Sequence, residues 1–419
     1  MTRRPASALD RWFGSLRIRN FRLFFIGQTT SQIGTGMAPV AIAFAVLAQG
    51  TATDVGYVLA AGTVPLVLCL LVGGVVADRV GRRRVMLTSD ALRAASQGAL
   101  GAWIVLGHPP LWGFILLTAL SGVGQAFFSP AMTGLLPEIL EAGHLQQGNV
   151  LNGLTESVGG IIGPAVAGVI VATSNPGWAV LIDGLTFLVS AVSLAMVRIT
   201  VETPSPTDAF LVLLRQGWDE FWSRTWLWVI VVEFSLVNAI IFAPYLVLGP
   251  VVAKEYLGGA RAWGLVLASL GAGAVVGGVI MLRVQPRHPL RVAVVSTFVW
   301  VAPLLALAVH APTGVLALSS LLGGASVPVF MSLWNTTMQR EIPSDLLSRV
   351  SAYDWFGSLL FLPVGMVIVG PLSTAVGPTP VLVTAALLTA ALTGVVLCVP
   401  SVTHLRAPAP VGTGPDPDL

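Results

Sequence analysis

Charged residues are scarce in this sequence. Only 10% of its 419 residues are Asp, Glu, Lys or Arg, whereas a soluble globular domain carries about 25%. Hydrophobic residues make up 55% of the chain, and the mean hydropathy is +0.85. This composition excludes a soluble protein with a large core and indicates a chain built from membrane-spanning helices.

Cysteine is also rare, and the motifs of several enzyme classes are missing. Cys69 and Cys398 both lie in apolar stretches, so they predict neither a disulfide framework nor a metal site. The sequence contains no Walker loop, metal cluster or hydrolytic triad. We therefore expect neither an enzyme nor an ATP-driven pump, and neither a cofactor nor a metal.

Long apolar blocks occupy most of the chain. A helix needs about 20 apolar residues to cross a bilayer, and the Gly and Pro residues inside these blocks are tolerated in membrane helices. The blocks, numbered as predicted helices 1 to 12, cover residues 20–48, 53–77, 85–106, 111–136, 148–173, 177–198, 225–253, 261–283, 290–310, 313–338, 347–375 and 379–400. The sequence thus predicts an all-α membrane protein with 12 transmembrane helices.

The longest polar stretch divides these helices into two sets of six. It carries Pro204 and Pro206 and ends in an amphipathic pattern, which predicts a helix lying on the membrane surface. The predicted organisation is an N-terminal segment at 1–19, a six-helix bundle at 20–198, a linker at 199–224, a second six-helix bundle at 225–400 and a disordered tail at 401–419.

Basic residues indicate the orientation of the chain. If the N-terminus is cytoplasmic, the cytoplasmic loops and ends hold 19 of the 22 Lys and Arg residues. The outer loops hold only Lys254 and Arg261, and Arg93 lies within a helix. Because Lys and Arg favour the cytoplasmic side, we expect both termini and the linker to be cytoplasmic.

The two predicted halves resemble each other weakly. Gln28 precedes Pro39 by eleven residues in helix 1, and Glu233 precedes Pro244 by the same spacing in helix 7. Many transporters consist of two repeats with the binding site between them near the middle of the membrane. The pattern therefore favours a transporter.

The loop after helix 2 carries the most specific motif. Residues 74–84 read GVVADRVGRRR and resemble the loop signature GxxxDRxGRR of the major facilitator superfamily. The matching positions are Gly74, Asp78, Arg79, Gly81, Arg82 and Arg83. The resemblance implies a gating loop that holds the two halves together when the cavity faces outward.

Physical chemistry suggests a role for each part of this gating loop. Gly81 would allow a tight turn, Asp78 would accept hydrogen bonds at the N-terminus of helix 11, and the arginines would face the cytoplasm and lipid head groups. The alternative is that the arginines serve only to set the topology.

Helix 5 carries a second motif. Gly159, Gly163, Pro164 and Gly168 resemble the signature GxxxGPxxxG, which marks antiporters within the superfamily and so implies an exporter. Glycines four residues apart also allow close contact between helices, so ordinary small-residue packing is the alternative.

Further stretches, among them GQAFFSPA at residues 124–131, resemble the twelve-helix drug and siderophore exporter branch of the superfamily. That branch includes macrolide and enterobactin exporters. The resemblance implies a proton antiporter that uses the proton motive force to export a small, partly apolar molecule.

Ionisable residues within membrane helices are costly and usually functional. Glu233 in helix 7 and Glu156 in helix 5 are isolated carboxylates, and we predict that they carry the coupled proton. The alternative is a carboxylate hydrogen-bonded to a neighbouring helix. Asp90 and Arg93 are predicted to form an ion pair near the gating loop.

Two further acids are given structural roles. Asp354 lies near the predicted docking position of the gating loop, and Asp183 lies near the outer end of helix 6. A helix N-terminus favours an anion, so we expect Asp183 to act as a cap or at the interface.

In the resembled family, helices 1, 4, 7 and 10 line the cavity. The candidate cavity residues on them are Gln28, Gln32, Phe127, Asn238, Trp334 and Asn335. Aromatic residues with a few amides suit a bulky, partly apolar ligand, although each residue could equally face lipid or pack within the bundle.

The expected partners are a small-molecule substrate and the lipid bilayer, and we expect no binding of nucleic acid. The protein is expected to be a monomer in the bacterial cytoplasmic membrane. The alternatives are a siderophore exporter, a lysophospholipid flippase of the same fold and, from another class, a non-transporting membrane sensor or binding partner.

Overall fold

The computed structural model describes residues 14–140, 144–198, 210–284 and 286–405. Within these ranges the chain is helical and has no strand. The long helices are α1 Arg19–Leu47, α2 Ala52–Val80, α3 Arg82–Leu106, α4 Leu111–Ile139, α5 Leu145–Thr173, α6 Pro176–Ala195, α7 Thr225–Tyr256, α8 Ala260–Met281, α9 Pro289–Ala308, α10 Thr313–Glu341, α11 Ser344–Val376 and α12 Pro378–Leu397. The predictions for residues 1–13, 199–209 and 406–419 lie outside the described residues.

Eleven spans in the described part of the chain are long and apolar enough to cross a membrane. The remaining long helix, α3, has 25 residues and is therefore about 37 Å long, which also suffices to cross the bilayer. Its polarity comes from Arg82, Arg83 and Arg84 at its start and from Asp90 and Arg93 further along. The predicted all-α membrane fold is confirmed.

Three helices of the second half are interrupted. Helix α7 contains a π-helical turn at Asn238–Phe242. Helix α9 contains a 3-10 turn at Phe298–Trp300, and α11 breaks between Leu359 and Leu362. Such irregular backbone is tolerated at membrane depth only where protein or a water-filled cavity satisfies it.

The interruptions in α7 and α11 satisfy each other. The side-chain amide of Asn238 donates to the carbonyl oxygens of Phe234 at 2.9 Å and Ser358 at 3.0 Å. The backbone N–H of Phe361 donates to the Ser235 hydroxyl at 3.4 Å. The two helices are thus joined where each departs from regular geometry.

The loops gather at two ends of the bundle. At one end, which we call the arginine-rich end, the Asn20 side chain donates to the Arg198 carbonyl at 2.8 Å and so joins the start of α1 to the end of α6. At the opposite end, which we call the far end, the Gln49 side chain donates to the Pro109 carbonyl at 2.9 Å.

The apolar core consists of three clusters. One lies at the far end and contains residues of both halves, from Met37–Leu47 of α1 to Val237–Ala253 of α7. The other two lie toward the arginine-rich end, and each contains described residues of one half only. The halves therefore share a core at the far end and have separate cores at the arginine-rich end.

The linker helix, Phe210–Ser223, packs against the start of α11. The Arg349 guanidinium donates to the Gln216 side chain, and the ring of Trp218 lies 5.5 Å from that of Tyr353. The Trp222 side chain is exposed, which suits a helix at the membrane surface.

Candidate functional site

The gating loop is a single-residue turn. Helix α2 ends at Val80, Gly81 has φ +98°, and α3 begins at Arg82. Glycine adopts this backbone conformation without strain. Asp78 lies in the last turn of α2, but its side chain and the surroundings of Gly74 lie outside what the structure describes. The docking of Asp78 on α11 stays a prediction.

Two arginines of this loop join helix ends within the first half. Arg82 donates to the Gly134 carbonyl at 2.6 Å and to the Glu138 carboxylate at 3.1 Å, both near the end of α4. Arg83 donates to the Leu194 and Ala195 carbonyls, at 2.9 and 2.6 Å, at the end of α6. Cations at a helix C-terminus satisfy its free carbonyls and its dipole. Arg82 and Arg83 therefore stabilise helix ends within the first half, while the predicted exposure of the arginines to the cytoplasm and lipid head groups stays a prediction.

The antiporter-like motif of α5 lies in close contact with α1. A methyl group added at Gly163 would come within 2.6 Å of the Ile33 carbonyl oxygen and 2.7 Å of Gly36, and one at Gly159 would meet the backbone of Gln32. Because the obstructing atoms are backbone, only glycine permits this approach.

The opposite face of α5 meets α8 of the second half. A methyl group at Gly271 would come within 2.5 Å of the Gly160 carbonyl oxygen, and one at Gly168 would lie 3.2 Å from the Cα of Gly264. The carbonyl of Pro164 faces Gly264 at still closer range. Glycines of α5 and α8 thus form a close-packed surface between the halves, which we call the α5–α8 interface.

Polar contacts also join the halves at the far end. The Lys254 ammonium of α7 donates to the carbonyl oxygen of Leu47, the last residue of α1. The hydroxyls of Thr53 in α2 and Thr374 in α11 are 3.3 Å apart. Lys254 therefore caps a helix of the other half.

One pocket lies within the second half, among α7, α10 and α11. We call it the aromatic pocket, and its described lining residues are Ile230, Phe234, Phe330, Met331, Trp334, Asn335, Asp354, Trp355, Ser358 and Leu359. The rings of Phe234 and Phe330 stack at 4.7 Å. The Trp334 indole N–H donates to the Asp354 carboxylate at 3.0 Å, and the Ser358 hydroxyl lies 3.4 Å from it.

The candidate cavity residues are therefore not all brought together. Trp334 and Asn335 line the aromatic pocket, whereas Asn238 is used in joining α7 to α11. In the first half, Gln28 is only 3% exposed and so packs inside the bundle, while Gln32 and Phe127 are half-buried. Sequence reasoning missed Phe234, Phe330 and the participation of Asp354.

The two carboxylates predicted to carry a proton have different surroundings. Glu233 is 1% exposed, and neither of its oxygens has a described hydrogen-bond partner. Glu156 is exposed and receives a long hydrogen bond of 3.4 Å from the Asn152 amide. Glu156 therefore lacks the burial that Glu233 has, and its role in proton coupling stays a prediction.

A cluster of three buried charged residues lies inside the first half, and we call it the charge cluster. Asp90, Arg93 and Asp183 are 0%, 5% and 1% exposed. Arg93 lies 3.8 Å from the Asp90 carboxylate, and it also interacts electrostatically with Asp183. It donates to the Thr35 hydroxyl of α1 at 3.2 Å.

Aromatic rings enclose the guanidinium of this cluster. The Arg93 Cζ atom lies 3.7 Å from the centre of the Phe187 ring and 5.6 Å from that of Phe128. A cation stacked on an aromatic face is stabilised electrostatically, most strongly where water is excluded. Arg93 is therefore a fixed part of the first half.

The role predicted for Asp183 is wrong. The N-terminus of α6 is capped by Asn175, whose side chain accepts from Gly177 N–H at 2.8 Å, and Asp183 lies inside the helix against Gly34 of α1. A usable signal was present, because Arg93 is the one basic residue that lies more than two residues from either end of a predicted helix, and a buried cation requires buried acids.

With this geometry established, comparison with known proteins identifies the family. Residues 24–358 match the model of the Major Facilitator Superfamily. This chain belongs to the major facilitator superfamily. It is a multi-pass membrane transporter rather than an enzyme, and its partners are the lipid bilayer and a small-molecule substrate.

Two similar curated proteins and one solved structure illustrate the relationship. The multidrug efflux pump Tap of Mycolicibacterium fortuitum is 27% identical over 370 residues, which cover 85% of this chain and 89% of Tap. Macrolide efflux protein A of Streptococcus pyogenes is 21% identical over 359 residues, covering 83% and 88%. The crystal structure of the nucleoside transporter NupG matches with a TM-score of 0.74 at 11% identity, covering 90% of this transporter and 98% of NupG, which shows the fold alone.

Proposed function

We propose that this transporter exports a small, partly apolar molecule, such as a drug, an antibiotic or a secondary metabolite, from the bacterial cytoplasm by proton antiport. The observation that supports this most directly is the combination of a glycine-lined α5–α8 interface with a buried, uncompensated carboxyl group at Glu233. The efflux functions named for Tap and macrolide efflux protein A agree with it.

The transport cycle in this proposal is alternating access. The basic residues favour a cytoplasmic position for the arginine-rich end. Because the halves share a core at the far end and have separate cores at the arginine-rich end, this state is open toward the cytoplasm. Export then requires the far-end contacts to break and the arginine-rich ends of the halves to meet. The Asp78 loop would hold the halves together in that second state.

The aromatic pocket suits the proposed substrate class. Stacked rings of Phe234 and Phe330 provide apolar surface, and Asp354 is the single ionisable residue among the described lining residues. Aromatic faces and a carboxylate together attract an organic cation. The lining therefore matches the chemistry of a hydrophobic molecule that carries an amine. The cavity volume is only about 30 Å³ in this state, far below the roughly 300–1,000 Å³ of a ligand site, so binding requires the pocket to widen.

Glu233 is the proposed proton carrier. It lies eight residues after the start of α7 at Thr225, about 12 Å along the helix. A carboxylate buried without a cation is strongly disfavoured, so Glu233 is neutral in this state and ionises when the cavity rearranges.

Transport in inverted membrane vesicles tests this mechanism. A panel of drugs, siderophores and lysophospholipids is offered to vesicles with an acidic lumen. We expect the vesicles to accumulate erythromycin or another compound of this panel. Glu233→Gln should lose this gradient-driven accumulation but keep substrate exchange, because the glutamine side chain is always neutral and cannot release a proton. Glu156→Gln is the matched control and should retain most of the activity. Accumulation that ignores the pH gradient and survives both substitutions would exclude proton antiport.

Lys254 is expected to stabilise the state that is closed at the far end. Lys254→Met keeps the length of the side chain but removes the donor that caps α1, so the equilibrium should shift several-fold toward opening at that end. Distances between spin labels at Thr53 and Thr374 measure the shift. The control is Arg261→Met, which also removes a far-end charge. Unchanged distances in Lys254→Met would show that the cap does not contribute to closure.

A further inference from the structure

The charge cluster contains more acid than base. Arg93 supplies one positive charge, whereas Asp90 and Asp183 can supply two negative charges, and all three side chains are buried. Both oxygens of each carboxyl group lack a described hydrogen bond of normal geometry, although the Ser190 hydroxyl lies close to Asp90. A net buried charge is costly, so a proton on one carboxyl group would make the cluster neutral.

No other ionisable group faces the cluster among the described residues. Helix α1 contributes Gly34 and the Thr35 hydroxyl, and α4 contributes the Phe128 ring. Besides Asp183, α6 contributes Phe187 and Ser190. The charge balance is therefore set by Asp90, Arg93 and Asp183 alone.

Three consecutive residues of α1 connect this cluster to α5. Gly34 lies against Asp183, and Thr35 accepts the hydrogen bond from Arg93. Gly36 lies against Gly159 and Gly163 of α5, the helix whose other face forms the α5–α8 interface. A shift of α1 with α5 would therefore change the contacts of the cluster directly.

We propose that Asp90 and Asp183 hold one proton between them beside Arg93, and that this proton leaves and returns as α1 and α5 move. On release, the O–H bond of one carboxyl group breaks and the proton passes to water in the cavity, leaving Arg93 between two carboxylates. The inference rests on the proposed proton antiport and adds a site in the first half to Glu233 in the second.

Infrared spectroscopy of the purified wild-type protein tests the protonation without any substrate. Protein labelled with ¹³C at the aspartate side-chain carboxyl carbon should show, at neutral pH, an isotope-shifted carbonyl stretch of a protonated aspartic acid. Asp183→Asn and Asp90→Asn should each lose this band, because the remaining carboxylate balances Arg93. Asp354→Asn, which removes a buried aspartate of the other half, should keep it. A wild-type spectrum without the band, or a band that survives in both cluster variants, overturns the proposal.

Vesicle transport tests whether the proton is exchanged in the cycle. We expect Asp183→Asn to lose accumulation of erythromycin driven by the pH gradient and to retain exchange of erythromycin at equal concentrations. If wild-type accumulation does not depend on the gradient, proton antiport itself fails. If it does depend on the gradient and Asp183→Asn accumulates normally, the charge cluster is not a coupling site, while the proposed function stands.

Discussion

Gly264→Ala should remove most of the export activity. The added methyl group would lie 3.0 Å from the Cα of Gly168 and 3.2 Å from its backbone nitrogen, and closer still to the Pro164 carbonyl oxygen. Normal carbon contacts are about 3.5–4.0 Å, and no flexible side chain is available to give way. The two helices must therefore separate, which weakens the contact between the halves at the far end.

The magnitude follows from the packing. Forcing an extra carbon into a close-packed site costs about 1–3 kcal/mol, which changes an equilibrium between two states by about 5- to 150-fold. A transporter that must alternate between the inward-open and outward-open states would therefore lose most of its efflux rate. Growth on drug plates and efflux of a fluorescent substrate from cells measure this loss.

A matched control lies on the same helix. A methyl group added at Gly278 meets nothing within 4 Å, so Gly278→Ala should export normally. Comparable thermal stability of both variants in detergent would separate a transport defect from misfolding. Normal efflux by Gly264→Ala would show that α5 and α8 do not need this close approach.

The positions of the helices could be predicted from sequence because membrane spans are long, apolar and separated by polar loops. Block 7 begins at residue 225 and block 10 at 313, as do α7 and α10. The family could also be predicted, since the loop motif around Asp78 and the glycine motif of α5 are local patterns. Neither depends on knowing which helices are neighbours.

The rotation of each helix could not be predicted in the same way. A soluble helix shows its buried face by an apolar stripe, but these helices are apolar around most of their circumference. Glu156 was therefore given the same role as Glu233, and Asp183 was expected to act as a cap or at the interface. The structure exposes Glu156 and buries Asp183 beside Arg93. Contacts between distant segments decide these faces.

The same reasoning explains why the aromatic pocket could be predicted only in part. Trp334 was recognised as a candidate because it is large and lies on helix 10, but its partner Asp354 is on α11, twenty residues away along the chain. Asp354 was expected to lie near the docking position of the Asp78 loop, and the side chain of Asp78 lies outside the described residues. The hydrogen bond from Trp334 shows that Asp354 lines the aromatic pocket.

Arg93→Met should prevent stable folding of the first half. Among the described residues, the substitution removes the one cation that faces Asp90 and Asp183, together with the stacking on Phe187 and the hydrogen bond to Thr35. Breaking a buried ion pair from one side costs roughly 3–5 kcal/mol. We expect little protein in the membrane and a much lower melting temperature in detergent, measured by size-exclusion chromatography after heating.

Neutralising the partners should reverse this loss. In the triple variant Arg93→Met, Asp90→Asn, Asp183→Asn, the charge cluster holds no charge, and replacing all members of a buried ionic group is often neutral for stability. The triple variant should therefore fold while lacking gradient-driven transport. Arg84→Met, an exposed change on the same helix, is the control and should leave stability unaltered. If Arg93→Met melts like the wild type, the acids are already neutral without Arg93. In that case the cation does not hold the cluster together, because two protonated carboxyl groups do not need it.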